Sequence, residues 1–147
     1  MLKAGVLGAG HLGKIHLKLL QQSTKYTLVG FFDANQEAAK AIEKEHGYKS
    51  FPSMEALIEA CDMVDVVTPT IYHYQCAEKV ITAGKHLFIE KPITHTVAQA
   101  DSIRDLAKKH GVRGQVGQVE RFNPAFMAVS HMIDKPMFIE AHRLAEF

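Results

Sequence analysis

At 147 residues, 47% hydrophobic and 22% charged, the chain has the size and composition of one ordinary globular domain, able to bury a core without disulfides or a structural metal. Its net charge of +1 excludes a strong global field for nucleic acid or an anionic membrane. The two cysteines, Cys61 and Cys76, are too few for a disulfide scaffold and fit a reducing cytoplasm. No secretory leader is legible, and no run approaches the ~20 apolar residues that span a bilayer.

In chain order, Lys3–Leu7 is a short apolar run that stops at glycine, as a buried strand does. Leu12, Ile15, His16, Leu19 and Leu20 then share one helical face. Tyr26–Phe32, rich in aromatic and β-branched residues, is a second strand. Asn35 caps a helix with Ala38, Ala41 and Ile42 facing inward, and Gly47 closes it. Tyr48–Phe51 reads as a short third strand, and Ser53 caps a brief helix carrying Met54, Leu57 and Ile58. Met63–Thr68 is a fourth strand, ended by Pro69.

Tyr72, Cys76 and Val80 mark the next helix, stopped by Gly84, and His86–Glu90 is a fifth strand. Val97, Ala100, Ile103, Ala107 and His110 mark a helix ended by Gly111, and Arg113–Val119 is a sixth strand. Strands alternating with helices at this spacing predict an α/β fold: a doubly wound parallel sheet in the order 3-2-1-4-5-6. Past Val119, Phe122, Phe126, Val129 and Ile133 predict another helix with Pro124 in its first turn, and Met137–Phe147 a further strand. A terminal strand left as an open edge is usually covered. Residues 1–119 are therefore expected to form one domain, and 120–147 to begin a second that lies mostly beyond the chain; a complete single domain ending in an edge strand is the other reading.

The first strand runs into Gly8-Ala9-Gly10-His11-Leu12-Gly13, a G-x-G-x-x-G that opens a helix, and the next strand ends in Asp33, twenty residues after Gly13. In a dinucleotide-binding unit Gly8 permits the tight turn, Gly10 lets backbone approach a pyrophosphate, and Gly13 packs the helix on the strand. His11 and Leu12 carry the first helical N–H groups, which receive the phosphate, and Asp33 accepts from the ribose hydroxyls of adenosine. The plainer reading is a glycine turn followed by a capping aspartate. A 2′-phosphate would meet the Asp33 carboxylate, and no Arg or Lys lies within Ala34–Ala39 to offset it, so NAD is expected over NADP.

Two further stretches leave the carboxyl ends of strands, where such sheets bind ligands. Thr68-Pro69-Thr70 follows the fourth strand and can line the middle of a cofactor; His73 just beyond it either contacts the cofactor or packs and caps. Glu90-Lys91-Pro92 follows the fifth strand, and the Lys91–Pro92 bond is a candidate for cis. A lysine there can hydrogen-bond a substrate hydroxyl and adjust its proton affinity as hydride leaves; a surface Glu–Lys pair is the other reading. The nine histidines carry no H-x-x-x-H spacing, His11 and His16 are five apart, and no metal is expected.

These stretches, together with His16 and with Glu120-Arg121-Phe122-Asn123-Pro124-Ala125, occur in the order and spacing of the glucose–fructose oxidoreductase/inositol dehydrogenase (Gfo/Idh/MocA) family, which the sequence resembles over nearly its whole length. The resemblance implies a Rossmann domain followed by an α/β domain with a large sheet. It implies NAD(P)-dependent hydride transfer at a hydroxyl- or carbonyl-bearing carbon of a sugar, nucleotide sugar or cyclitol. It makes Lys91 the active-site lysine, with Glu90 and Pro92 setting its loop, and places Arg121 near the nicotinamide. The Val119–Ala125 wording is most similar to nucleotide-sugar dehydrogenases. The family's catalytic histidine and aspartate fall beyond Phe147, so these residues alone are expected to bind NAD without turning over a sugar. The full-length protein is expected to be a homo-oligomer. A non-catalytic dinucleotide-sensing regulator of the same fold is the alternative; the intact Glu-Lys-Pro stretch favours the enzyme.

Overall fold

A computed structural model describes residues 1–140 and 142. Two compact units, Met1–Gly117 and Gln118–Phe147, are resolved by their internal contacts. In the first, strands β1 (Leu2–Leu7), β2 (Tyr26–Phe32), β3 (Met63–Val66), β4 (His86–Glu90) and β5 (Gly114–Gly117) alternate with helices α1 (His11–Gln22), α2 (Gln36–His46), α3 (Met54–Ala60), α4 (Thr70–Thr82) and α5 (Val97–His110). The strands form one parallel sheet in the order β2-β1-β3-β4-β5. This is the doubly wound Rossmann arrangement that the alternation predicts.

Side chains alternate across β1 and so separate two cores. Val6 packs with Leu17 of α1, Phe31 of β2, and Ala39 and Ile42 of α2. Leu7 faces the other way, into a larger cluster with Leu57 of α3, Val80 and Ile81 of α4, Ile89 of β4 and Ile103 of α5. Helices α1 and α2 thus cover one face, and α3, α4 and α5 the other. Helix starts fall where the sequence puts them: Ala38 N–H donates to Asn35 Oδ1 (3.0 Å), and Ala56 N–H donates to Ser53 Oγ (3.1 Å). Helices α2 and α5 end at Gly47 and Gly111. Cys61 and Cys76 are buried free thiols in the larger cluster, and burial pushes the Cys61 thiol up to about 12.

One expected strand is nearly missing. Tyr48–Phe51 makes only a single parallel bridge, Phe31 to Ser50, beside β2 where the predicted order puts it. Phe31 N–H donates to the Lys49 carbonyl (2.9 Å) and Phe51 N–H to the Phe31 carbonyl (2.8 Å). Pro52 follows with no N–H to give, and the ladder ends there.

In the second unit a 3₁₀ turn, Val119–Phe122, holds Phe122 and precedes helix α6 (Pro124–Ser130), which has Pro124 in its first turn as expected and is capped by Asn123, whose Oδ1 accepts from Ala125 N–H (3.0 Å). The helix ends three residues short of Ile133. The strand expected over Met137–Phe147 does not form in Met137–Glu140: those residues are exposed and have no ladder partner among the described residues, without which extended backbone is not a strand. Residues 141 and 143–147 of that expectation lie outside the described residues. Among the described residues, no helix is long and apolar enough to cross a membrane.

Candidate active site

All five strands point their carboxyl ends the same way, so the loops after β1, β2, β3 and β4 share one edge of the sheet. Hydrogen bonds and close approaches tie them in a row. Gly8, at φ +93, turns the chain out of β1, and its N–H donates to the Phe32 carbonyl (2.9 Å). A side chain at Gly8 would stand 2.9 Å from the Val67 carbonyl oxygen and 3.0 Å from Thr68 N, so the loops after β1 and β3 touch. Ala9 N–H donates to Asp33 Oδ2 (2.8 Å), and the other oxygen of Asp33 accepts from Asn35 N–H (2.8 Å). Asp33 therefore braces the glycine loop from the end of β2, with each oxygen keeping acceptor capacity for a further donor.

The three glycines do different work. A Cβ on Gly13 would collide with the Gly8 carbonyl oxygen, so Gly13 lets α1 begin directly against the loop. A Cβ on Gly10 would meet nothing within 4 Å, and the residue has φ −63. Nothing inside the protein requires glycine at position 10; only a group approaching from outside would. Gly10 is also the N-cap of α1, where no side chain caps the helix and no acidic residue stands in the first turn. The N–H groups at the start of α1, where His11 and Leu12 stand exposed, have no side-chain acceptor there and carry the positive end of the helix dipole. That is the arrangement that receives a pyrophosphate, and a dinucleotide fits it.

Thr68, Pro69 and Thr70 lead from β3 into α4, which also starts without a side-chain cap. His73, one turn in, is 1% exposed. Its Nε2 lies 2.8 Å from the Thr68 carbonyl oxygen and its Nδ1 2.9 Å from that of Pro92. Of the two readings of His73, cofactor contact and packing, the structure favours packing: both ring nitrogens face backbone carbonyls and none is left for a ligand. His73 instead staples the loop after β3 to the loop after β4. Lys91 follows β4, exposed, with a cis bond to Pro92. Among the described residues no ion pair engages its ammonium.

Glu90 turns the other way, inward. Its Oε2 accepts from Lys91 N–H (3.1 Å), and its Oε1 stands 3.5 Å from His16 Nε2 on α1. His16 Nδ1 is 2.8 Å from Asp65 Oδ2 on β3. The hydrogen bond to Asp65 raises the His16 pKa above the ordinary imidazole value, against burial and with help from the Glu90 charge. Burial raises the Asp65 pKa as well, more than His16 lowers it. Asp65 was not among the expected site residues. Its signal is an acid inside the apolar strand Met63-Val64-Asp65-Val66. Arg121 belongs to the second unit, exposed in the 3₁₀ turn, where its N–H donates to the Gln118 carbonyl (3.0 Å). Among the described residues, no group of three or more His, Cys, Asp or Glu side chains could hold a metal ion.

Because folding raises the His16 pKa, its protonated form adds stability that is complete below about pH 6.5, the free imidazole value, and is lost as pH rises through the folded-state value. Thermal melts at pH 6 and pH 8 are expected to show the chain less stable at pH 8, and His16→Gln to remove most of that difference. An equal difference in the variant would assign the dependence to another group.

The model of the oxidoreductase family with the NAD-binding Rossmann fold, GFO_IDH_MocA, matches residues 2–118. The chain belongs to this family. It is 35% identical over 147 residues to the UDP-N-acetylglucosamine 3-dehydrogenase of Acidithiobacillus ferrooxidans, covering 99% of this chain and 46% of that protein. It is also 35% identical over 132 residues to the inositol 2-dehydrogenase of Rhizobium meliloti, covering 88% and 40%. Against the glucose-6-phosphate 3-dehydrogenase of Bacillus subtilis it is 32% identical over 117 residues, covering 80% and 33%. A crystal structure of the A. ferrooxidans UDP-N-acetylglucosamine 3-dehydrogenase superposes with a TM-score of 0.82 at 34% identity, over 89% of this chain and 43% of that one. This member of the family thus spans less than half the length of the relatives it matches.

Proposed function

We propose that this chain is the dinucleotide-binding part of a dehydrogenase acting on a sugar, nucleotide sugar or cyclitol. Named relatives act on substrates of these kinds: UDP-N-acetylglucosamine, glucose 6-phosphate and inositol. The observation that carries the reading is the uncapped start of α1 beside the open space at Gly10. Residues 1–119 form the cofactor domain in this reading, and 120–147 begin the part that holds substrate and brings Arg121 to the nicotinamide. The nicotinamide, when bound, supplies the hydride acceptor or donor. The chain's own residues do the rest. The first N–H groups of α1 hold the pyrophosphate, Asp33 accepts from the adenosine ribose, and Thr68, Pro69 and Thr70 line the middle of the cofactor. Lys91 hydrogen-bonds the reacting hydroxyl and eases loss of its proton.

Asp33 also favours NAD. A 2′-phosphate would stand against its carboxylate, a repulsion of about 1 kcal/mol for unit charges at 4 Å even in bulk water. NADH is expected to bind at least several-fold tighter than NADPH, and Asp33→Ala to narrow that gap. Fluorescence titration of both cofactors decides it: equal affinities in the wild-type chain would remove the preference, and no binding of either would remove the whole reading.

A further inference from the structure

Three titratable side chains from three elements meet on the α1 side of the sheet: His16 from α1, Asp65 from β3 and Glu90 from β4. Tyr26 from β2 and the uncharged Gln115 from β5 line the same cleft, of about 390 Å³, with His16, Asp65 and Phe88. The Phe88 ring stands edge-on to the imidazole at 6.1 Å. Gly117 of β5 makes the room: a Cβ there would lie 2.5 Å from Glu90 Oε1. The imidazole therefore sits between two carboxylates, and the far one holds the Lys91 backbone through its second oxygen.

The two protonation states of His16 act differently on Glu90. A neutral imidazole has one N–H. Placed on Nδ1, where Asp65 is nearest, it leaves the Nε2 lone pair 3.5 Å from Glu90 Oε1, and the two repel. A protonated imidazole donates toward both carboxylates and draws Glu90 into place. Asp65 is buried with Oδ1 unpartnered, which favours keeping a positive partner beside it.

We propose that His16 is a positioning residue for Lys91: its protonated ring bridges Asp65 and Glu90, and Glu90, so held, fixes the backbone from which Lys91 projects. This rests on the reading of Lys91 as the residue that meets substrate, but the coupling is intrinsic to the chain. The raised proton affinity of His16 is consistent with it, its largest cause being the hydrogen bond to Asp65.

The test needs neither cofactor nor substrate. In a pH titration of the isotope-labelled chain followed by NMR, the His16 ring is expected to titrate above the ordinary histidine value, and the Lys91 amide to shift with the same midpoint. The amide of Ile89, which makes no hydrogen bond to the Glu90 carboxylate, serves as the control for a through-space field and is expected to move far less. Glu90→Gln keeps an acceptor for Lys91 N–H but loses the charge, so it is expected to lower the His16 midpoint and abolish the Lys91 inflection. A wild-type Lys91 amide that stays flat while His16 titrates, or moves no more than Ile89, would overturn the proposal, and that wild-type result stands whether or not the variant folds. Failure of the dehydrogenase reading would show instead as absent NADH binding with the coupled titration intact.

Discussion

Gly13→Ala is expected to destabilise the chain by about 3 kcal/mol or more, while Gly10→Ala leaves it folded and weakens dinucleotide binding at least tenfold. The two positions are three residues apart, in one turn, and would answer to one explanation if the loop were only a tight corner. At Gly13 the added methyl falls on the Gly8 carbonyl, a backbone atom held in turn by the bond from Gly8 N–H to Phe32, so no flexible side chain can give way. Alanine's better helix propensity returns only about 1 kcal/mol. At Gly10 the methyl enters open space, and the loss of a favourable N-cap residue costs about 1 kcal/mol or less. What the methyl does occupy is the approach to the first N–H groups of α1. Urea denaturation and NADH titration on both variants separate the effects. Wild-type affinity in Gly10→Ala would mean that the pyrophosphate does not sit at this helix start, and wild-type stability in Gly13→Ala would mean that α1 stands further from the loop than described.

Lys91→Ala, in the enzyme complete with its substrate-binding part, is expected to lower kcat by about 10²–10⁴-fold, the range for loss of a positioned proton-transfer group. NADH affinity is expected to stay within about twofold. The split follows from geometry. Lys91 projects from the end of β4, and its loop is fixed by backbone contacts, from Glu90 to its own N–H and from His73 to the Pro92 carbonyl, none of which involves the ammonium. Removing the side chain beyond Cβ therefore leaves the loop and the start of α1 in place. Steady-state kinetics with a fixed cofactor concentration, beside a binding titration, measures both quantities. Near-normal kcat in Lys91→Ala would take the lysine out of the chemistry and leave Glu90-Lys91-Pro92 as a structural turn.

The sheet was legible because its code is short-range. Apolar runs ending at Gly8, Asp33 and Lys91, with caps at Asn35 and Ser53 and stops at Gly47 and Gly111, specify where strands turn into helices and back. Tyr48–Phe51 is shorter as a strand than its sequence implies because its length depends on a neighbour: β2 is there to pair with, but Pro52 limits the pairing to one bridge. The expected strand after Pro136 fails at Met137–Glu140 for a related reason, since hydrophobic alternation says nothing about whether a partner strand exists. Spacing placed His73 near the cofactor without saying where its ring points, and the ring turns to Thr68 and Pro92. The union of His16, Asp65 and Glu90 lies out of reach of any local pattern, because the three are 49 and 25 positions apart along the chain and meet only when β3 and β4 line up under α1.

A sheet whose strands all run in one direction has two rims of unequal value to anyone handling the protein. The rim carrying the glycine loop, Asp33, Thr68 and Lys91 is where a library of variants would probe the proposed cofactor recognition, since the ladders end before those loops begin. The opposite rim holds the return connections between helix and strand, at turns such as Ser23–Lys25 and Ala83–Lys85. Dyes, affinity tags and surface tethers belong there, and the two buried thiols leave a single introduced cysteine as the reactive handle for attaching them.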